Sequence, residues 1–160
     1  MMLRTAFLFV LFVVTASFSP ADGDLTYKTN LVGKNISETV FGGFTAEEFP
    51  GEHIVLVVAY GCGHCFDATI ELGKLKKENL AQIHILGTGT EAEKKDFRKE
   101  TSSDYPTTDY NFETMKEKLK AVDPGFPPPP FALWIKDNVI KAVFVKMPSP
   151  EVFKKMQKEG

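Results

Sequence analysis

Six consecutive apolar residues, Ile54-Val55-Leu56-Val57-Val58-Ala59, stand between the turn formers Pro50-Gly51 and Tyr60-Gly61. A run this short, rich in β-branched side chains and bounded by turns, predicts a strand buried on both faces. Phe66 to Asn79 predicts a helix with Ile70, Leu72 and Leu75 on its apolar side and lysines towards solvent. Ile83-His84-Ile85-Leu86 predicts a second short strand, ended by Gly87-Thr88-Gly89. Thr90-Glu91-Ala92-Glu93 has the spacing of a capping box, whose helix runs to about Glu100. Ser102 to Tyr110 reads as loop. Phe112, Met115, Leu119 and Val122 recur at helical spacing and stop at Asp123-Pro124-Gly125. Phe131 to Ile135 and Val139 to Val145, joined by Lys136-Asp137-Asn138, predict a β-hairpin. Ser149-Pro150-Glu151 then opens a final helix with Val152, Phe153 and Met156 inward.

Upstream of the first strand the pattern is weaker. A strand or hairpin is expected near Thr26 to Val32, another near Ile36 to Phe41, and one helical turn at the capping box Thr45-Ala46-Glu47-Glu48. The order β-α-β-α-α-β-β-α predicts an α/β fold: a central mixed sheet with helices on both faces. No internal repeat or long linker interrupts it.

The first 21 residues follow a different pattern. Met1-Met2-Leu3-Arg4 is a short positive region, Ala6 to Val14 is unbroken apolar sequence, and Ser19-Pro20-Ala21 offers small residues for cleavage, with Thr15-Ala16-Ser17 as a competing site. The apolar core is short for a bilayer, so residues 1–21 read as a secretory signal peptide and residues 22–160 as one domain. An uncleaved N-terminal anchor is the alternative.

Composition narrows the functional class. The chain has 160 residues, 43% of them hydrophobic, enough for one proper core. Its formal charge of −2 gives no basic footprint for nucleic acid and no polybasic membrane patch. There are two cysteines, so no disulfide framework is available beyond that one pair. An exported chain meets an oxidising compartment, where a disulfide persists. A bacterial periplasm or other extracytoplasmic space is the expected location, and a eukaryotic secretory pathway is the alternative. In the latter, Asn35-Ile36-Ser37 would be a glycosylation acceptor.

The two cysteines lie in Cys62-Gly63-His64-Cys65, where the strand turns into the helix. A helix start offers unpaired N–H groups and the positive end of the dipole, both of which favour a thiolate at Cys62. Gly63 lets backbone approach, and His64 adds a positive charge or a donor beside the sulfur. These features favour reduced Cys62 and make the Cys62–Cys65 disulfide more oxidising. Cys65, one turn further on, is the expected resolving thiol. A purely structural disulfide across so short a loop would stabilise little. Zinc would need two more ligands, and only His53, His64 and His84 are available, so no metal or other cofactor is expected. Haem attachment needs His directly after the second Cys, where Phe66 stands. Gly87-Thr88-Gly89-Thr90 lacks the Gly-Lys-Ser/Thr ending of a phosphate loop. His53 and His84 read as structural, and Phe131 and Trp134 as core or groove wall.

A buried strand followed by Cys62-Gly63-His64-Cys65 resembles the active site of the thioredoxin superfamily, and the tetrapeptide is the one typical of protein disulfide isomerase. Pro130-Phe131-Ala132-Leu133-Trp134-Ile135-Lys136-Asp137-Asn138 is similar to that superfamily's cis-proline loop and hairpin. The resemblance implies a thioredoxin fold with an N-terminal extension. It implies a cis Pro130 against the Cys62 sulfur, and a Pro129 backbone that pairs with a substrate strand. Pro127, Pro128 and Pro129 remain alternative cis positions. The long stretch from Ile83 to Val122 is similar to the αβ-type insertion before the cis-proline loop in exported TlpA- and ResA-like thioredoxins. The implied activity is thiol–disulfide exchange with cysteine-containing protein substrates, by a monomer served by a membrane or soluble redox donor or acceptor. The isomerase-type tetrapeptide implies an oxidase or isomerase direction, whereas TlpA- and ResA-type relatives act mostly as reductants.

Several positions depart from the superfamily pattern. Gly61 replaces the tryptophan before the first cysteine, and Val58 replaces a second one upstream. Leu56 stands where a buried acid usually serves the second cysteine, and Ile70 replaces the helix proline. Asp67 and Glu71 are the remaining candidate bases. Two rival classes follow: a non-catalytic binding or chaperone module, and a thiol peroxidase, although the turn lacks the peroxidatic Pro and Thr pattern.

Overall fold

The computed structural model describes residues 25–42 and 49–160. The expected signal peptide and the capping box at Thr45 to Glu48 lie outside the described residues. The apolar run at Ile54 becomes β1 (Glu52–Ala59), which continues through a turn into α1 (Gly63–Lys77). Then follow β2 (Gln82–Thr88), α2 (Glu91–Thr101), β3 (Thr107–Asp109) and α3 (Phe112–Val122). The chain closes with β4 (Phe131–Lys136), β5 (Val139–Phe144) and α4 (Pro150–Glu159).

The five strands form one mixed sheet in the order β3-β2-β1-β4-β5. The strands β3, β2 and β1 are parallel, β4 is antiparallel to β1, and β5 is antiparallel to β4. Alternation along β1 divides the core. Ile54, Leu56 and Val58 face a layer built with Leu72 and Leu75 of α1, Phe97 of α2 and Phe153 of α4. Val55 and Val57 face Met115 and Leu119 of α3, together with Leu31, Ile36, Phe41 and Phe49 from the N-terminal segment. Both faces of the sheet are therefore covered, as a largely parallel sheet requires.

The Asp137-Asn138 turn of the hairpin has both residues at positive φ (50° and 67°), the geometry of a tight two-residue connection between twisted strands. Asn138 Oδ1 accepts from the Phe49 N–H at 2.6 Å, and Asp137 Oδ1 accepts from the Gly51 N–H at 2.8 Å. The turn thereby fixes the approach to β1.

Three expectations are corrected. The segments near Thr26 to Val32 and Ile36 to Phe41 are not strands. They touch β5 through isolated bridges, Thr26 to Phe144 and Asn35 to Val139, and Ile36–Glu38 is a single 3-10 turn capped by Asn35. The segment runs along the outer edge of β5 (Tyr27 N–H to Val143 O, 2.8 Å; Gly33 N–H to Ile140 O, 2.8 Å), which protects an otherwise open edge. The expected loop from Ser102 to Tyr110 contains β3, a polar strand paired along β2. Ile70 is half exposed, whereas Leu72 and Leu75 are fully buried, so the apolar side of α1 excludes it. No described helix is long and apolar enough to cross a membrane.

Candidate active site

β1 delivers the cysteine turn at its C-terminal end. The Tyr60 N–H donates to Thr88 O (2.8 Å) and completes the sheet pairing, then the Cys62 N–H donates back to Ala59 O (3.0 Å). Cys62 is the N-cap residue of α1, in extended conformation, and its carbonyl accepts from the N–H groups of Cys65 (2.9 Å) and Phe66 (3.3 Å). Its side chain makes no capping hydrogen bond, contrary to the expectation that helix N–H groups would point at the sulfur. The positive end of the helix dipole remains beside it.

The two thiols occupy different environments. Cys62 is half-buried, and Gly63 and His64 are exposed. Cys65 has no exposed surface and packs among Leu56, Val58, Ala68 and Leu72. Burial, then the hydrogen bond with Cys62, pushes the Cys65 thiol up to about 12, against a single opposing influence, the Ala59 N–H that donates to Cys65 Sγ at 3.4 Å. Among the described residues, no carboxylate acts on Cys65. Leu56, at the position expected to carry an acid in a standard site, is buried and apolar. Asp67 is exposed, and Glu71 is exposed and ion-paired with Lys74 at 2.6 Å, so neither of these candidate bases reaches the buried sulfur.

The turn is braced by residues that sequence reasoning did not single out. The Tyr60 ring is buried, packs on Phe97 (5.6 Å between centroids), and Phe97 stacks on Phe66 (5.2 Å). The Tyr60 hydroxyl donates to Asp109 Oδ1 at 2.5 Å, and Asp109 pairs with Lys94 at 2.7 Å. Burial and that carboxylate raise the Tyr60 pKa well above its ordinary value. Gly87 must lack a side chain, because a Cβ there would lie 2.3 Å from the Tyr60 ring. A Cβ at Gly61 would lie 2.9 Å from Glu93 Oε1, so α2 borders the space beside this residue. The aromatic support of the turn is thus moved one residue upstream, to Tyr60. The sequence carried one sign of this, an aromatic residue two positions before Cys62.

The proline loop enters from β4. The Pro129–Pro130 peptide is cis. Since Val57 pairs with Phe131, Pro130 precedes β4 level with the end of β1, at the edge of the sheet that carries Cys62. Beside it, Phe112, Met115, Phe126, Pro128, Pro129 and Phe131 line an apolar cavity of ≈ 280 Å³, with Lys116 and Lys120 at its rim. On the other side of the turn, Gly63, His64, Phe66 and the exposed Ile70 form a shallow cleft bordered by Asp67 and Glu100.

The other candidates fall away from this end. His53, at the opposite end of β1, has its Nε2 3.0 Å from Pro50 O, and its ring packs with Phe49 and His84. Trp134 is buried and donates its indole N–H to Glu52. Thr90, after Gly87-Thr88-Gly89, caps α2 in the expected capping box with Glu93. Among the described residues, no group of three or more His, Cys, Asp or Glu is placed to hold a metal ion.

No protein-family profile matches the sequence, and no curated protein matches it. Solved structures do match in fold. The chain is similar to the thioredoxin domain of a thiol-disulfide oxidoreductase from Bacteroides vulgatus (TM-score 0.51, 17% identity, covering 68% of this chain and 79% of that one). It is also similar to a thioredoxin-family thiol:disulfide interchange protein from Chlorobium tepidum TLS (TM-score 0.51, 16% identity, 83% and 97%). A third is a secreted disulfide oxidoreductase of Mycobacterium tuberculosis homologous to E. coli DsbE (TM-score 0.50, 8% identity, 69% and 82%). The chain has a thioredoxin fold, and its Cys62–Cys65 pair stands at the start of the first helix after the central strand.

Proposed function

We propose that the protein is an exported thiol–disulfide oxidoreductase that exchanges disulfides with cysteine-containing protein substrates through Cys62. The observation that carries this reading is the asymmetry of the pair: a half-buried Cys62 at a helix start and a fully buried Cys65 held as a thiol. That is the division between an attacking and a resolving sulfur. In the reducing direction, the Cys62 thiolate attacks a substrate disulfide, forms a mixed disulfide and expels one substrate thiolate. Cys65 then attacks Cys62, the Cys62–Cys65 bond forms, and the second substrate sulfur leaves and takes up the proton. The oxidising direction is the reverse. Gly63 and His64 shape the approach to Cys62, the Pro129 backbone pairs with the substrate strand, and cis Pro130 lies against the Cys62 sulfur beside it. The apolar cavity beside Pro129 suits the side chain of an unfolded polypeptide. The tetrapeptide favours an oxidase or isomerase direction, with a potential nearer the about −180 mV of protein disulfide isomerase than the about −270 mV of thioredoxin.

Reduction of insulin by a small dithiol tests the activity. The wild type accelerates it, Cys62→Ser abolishes the acceleration, and Cys65→Ser accumulates a mixed disulfide. Equal rates for wild type and Cys62→Ser would favour a non-catalytic binding module, for which Leu56 in place of an acid is the supporting observation. Equilibration with glutathione fixes the direction, and a value at the thioredoxin end would overturn the oxidant assignment.

A further inference from the structure

The exchange reaction proposed above requires a buried thiol to ionise with no carboxylate beside it, and the structure offers another means. The Tyr110 ring is buried next to Phe131 and Met115, and its hydroxyl donates to the Val58 carbonyl oxygen at 3.3 Å. That carbonyl belongs to the same peptide unit as the Ala59 N–H, which donates to Cys65 Sγ at 3.4 Å. The three groups form one chain: Tyr110 O–H to Val58 C=O, and through that peptide, Ala59 N–H to Cys65 sulfur. A donor on a carbonyl polarises its peptide and strengthens the opposite N–H, and the gain is largest in a low-dielectric interior. We propose that Tyr110 is a positioning residue for resolution, acting through the Val58–Ala59 peptide to stabilise the Cys65 thiolate where the acid of related sites is replaced by Leu56.

Tyr110 does not itself take the proton. Its own ionisation is pushed above the ordinary value by burial and by the nearness of Cys65, so it stays a neutral donor throughout. Other groups around Cys65 leave this role open. Cys62 is its partner in the turn, and the Tyr60 hydroxyl is engaged by Asp109. From α2, Glu93 is bound to Thr90, and on α1 His64 and Asp67 are exposed.

The proposal rests on Cys62 and Cys65 being an exchanging pair, and the aromatic disulfide dithionitrobenzoate separates the two questions. Cys62 attacks it, releasing one thionitrobenzoate and leaving the other bound to Cys62. Cys65 then loses its proton to water, attacks Cys62 and releases the second thionitrobenzoate as the Cys62–Cys65 disulfide forms. Stopped-flow measurement from about pH 6 to about pH 10 resolves both releases. In Tyr110→Phe the first release should match wild type. The second should slow about threefold, the effect of a modest hydrogen bond, and its rise with pH should shift upward. A fluorinated tyrosine at position 110, a stronger donor in the same ring, should move the second release the opposite way and guards against a folding defect in the first variant. Tyr105→Phe, whose hydroxyl lies against Gly73 rather than the Val58–Ala59 peptide, controls for loss of a hydroxyl. A second release unchanged in rate and pH profile in both position-110 variants overturns the role of Tyr110. Absence of any second release in the wild type overturns the exchange reading itself.

Discussion

Cys65 shows how far a single side chain's surroundings decide its chemistry. Nothing in Cys62-Gly63-His64-Cys65 tells which sulfur is buried; helix periodicity does, because Cys65 falls on the face of α1 that carries Ala68, Thr69 and Leu72. Burial then holds the thiol at about 12, above its ordinary 9.0. The consequence for stability has a definite sign. Below about pH 9 folded and unfolded chains both keep the proton and the difference is constant. Above it the unfolded chain releases the proton first, so the folded state loses stability as pH rises, up to the folded value. A Cys62→Ser protein should therefore lose urea resistance between pH 9 and pH 11 more steeply than Cys62→Ser/Cys65→Ala. Parallel slopes would mean that Cys65 ionises as freely in the fold as out of it. The residues that sequence alone did not reveal, Tyr60, Phe97 and Tyr110, share one property. Their importance lies in contacts across 37 to 52 positions of chain (Tyr60 with Phe97, Tyr110 with Val58), which no local pattern encodes.

At the scale of elements, legibility followed the strength of local signals. β1 was written in an unbroken apolar run, α2 and α4 in caps the structure reproduces, Thr90 with Glu93 and Ser149 with Val152, and α3 in the helical spacing of Phe112, Met115 and Leu119, its Asn111 cap appearing only in the structure. β3 was not legible. Thr107-Thr108-Asp109 has no apolar alternation and is extended because Ile85, Leu86 and Gly87 offer it an edge. The N-terminal segment failed in the opposite way. Its Leu31, Ile36 and Phe41 resemble strand residues, yet they serve as plugs over the α3 face of the sheet. α2 links element to site, since its capping box holds Glu93 beside Gly61 and its Phe97 supports Tyr60. Thr90→Ala removes the acceptor for the Glu93 N–H and should cost about 1 kcal/mol, read as a lower urea midpoint with unchanged slope. Because Glu93 borders the turn, the same variant should also change the rate at which Cys62 reacts with an alkylating agent. A stability loss with unaltered Cys62 reactivity would show that α2 braces the sheet without shaping the site.

The whole molecule separates its redox end from its single tryptophan. All the proposed chemistry gathers where β1 ends, at Cys62 and the Pro129–Pro130 peptide, whereas Trp134 pairs with Ile54 near the start of β1. Five residue steps of strand, about 17 Å, separate Ile54 from Ala59, before the turn is counted. At the far end the indole packs edge-on against Phe153 and is held by Glu52, on the same core layer as Cys65 but at the other end of β1. A tryptophan at position 61 would stand directly beside the pair, where contact with the sulfurs would couple its emission to their redox state; here Gly61 fills that position and Trp134 lies opposite Ile54. Emission from Trp134 should therefore stay unchanged when the Cys62–Cys65 pair is oxidised or reduced, yet shift strongly on unfolding. The check is a titration with glutathione in which thiol labelling follows the redox state while fluorescence is recorded. Flat emission across the labelled transition fits a sheet whose two ends behave independently. An emission change that tracks the labelling would mean that oxidation rearranges α4 or the β4–β5 hairpin, and that the conformational response to redox state extends through the full length of the sheet.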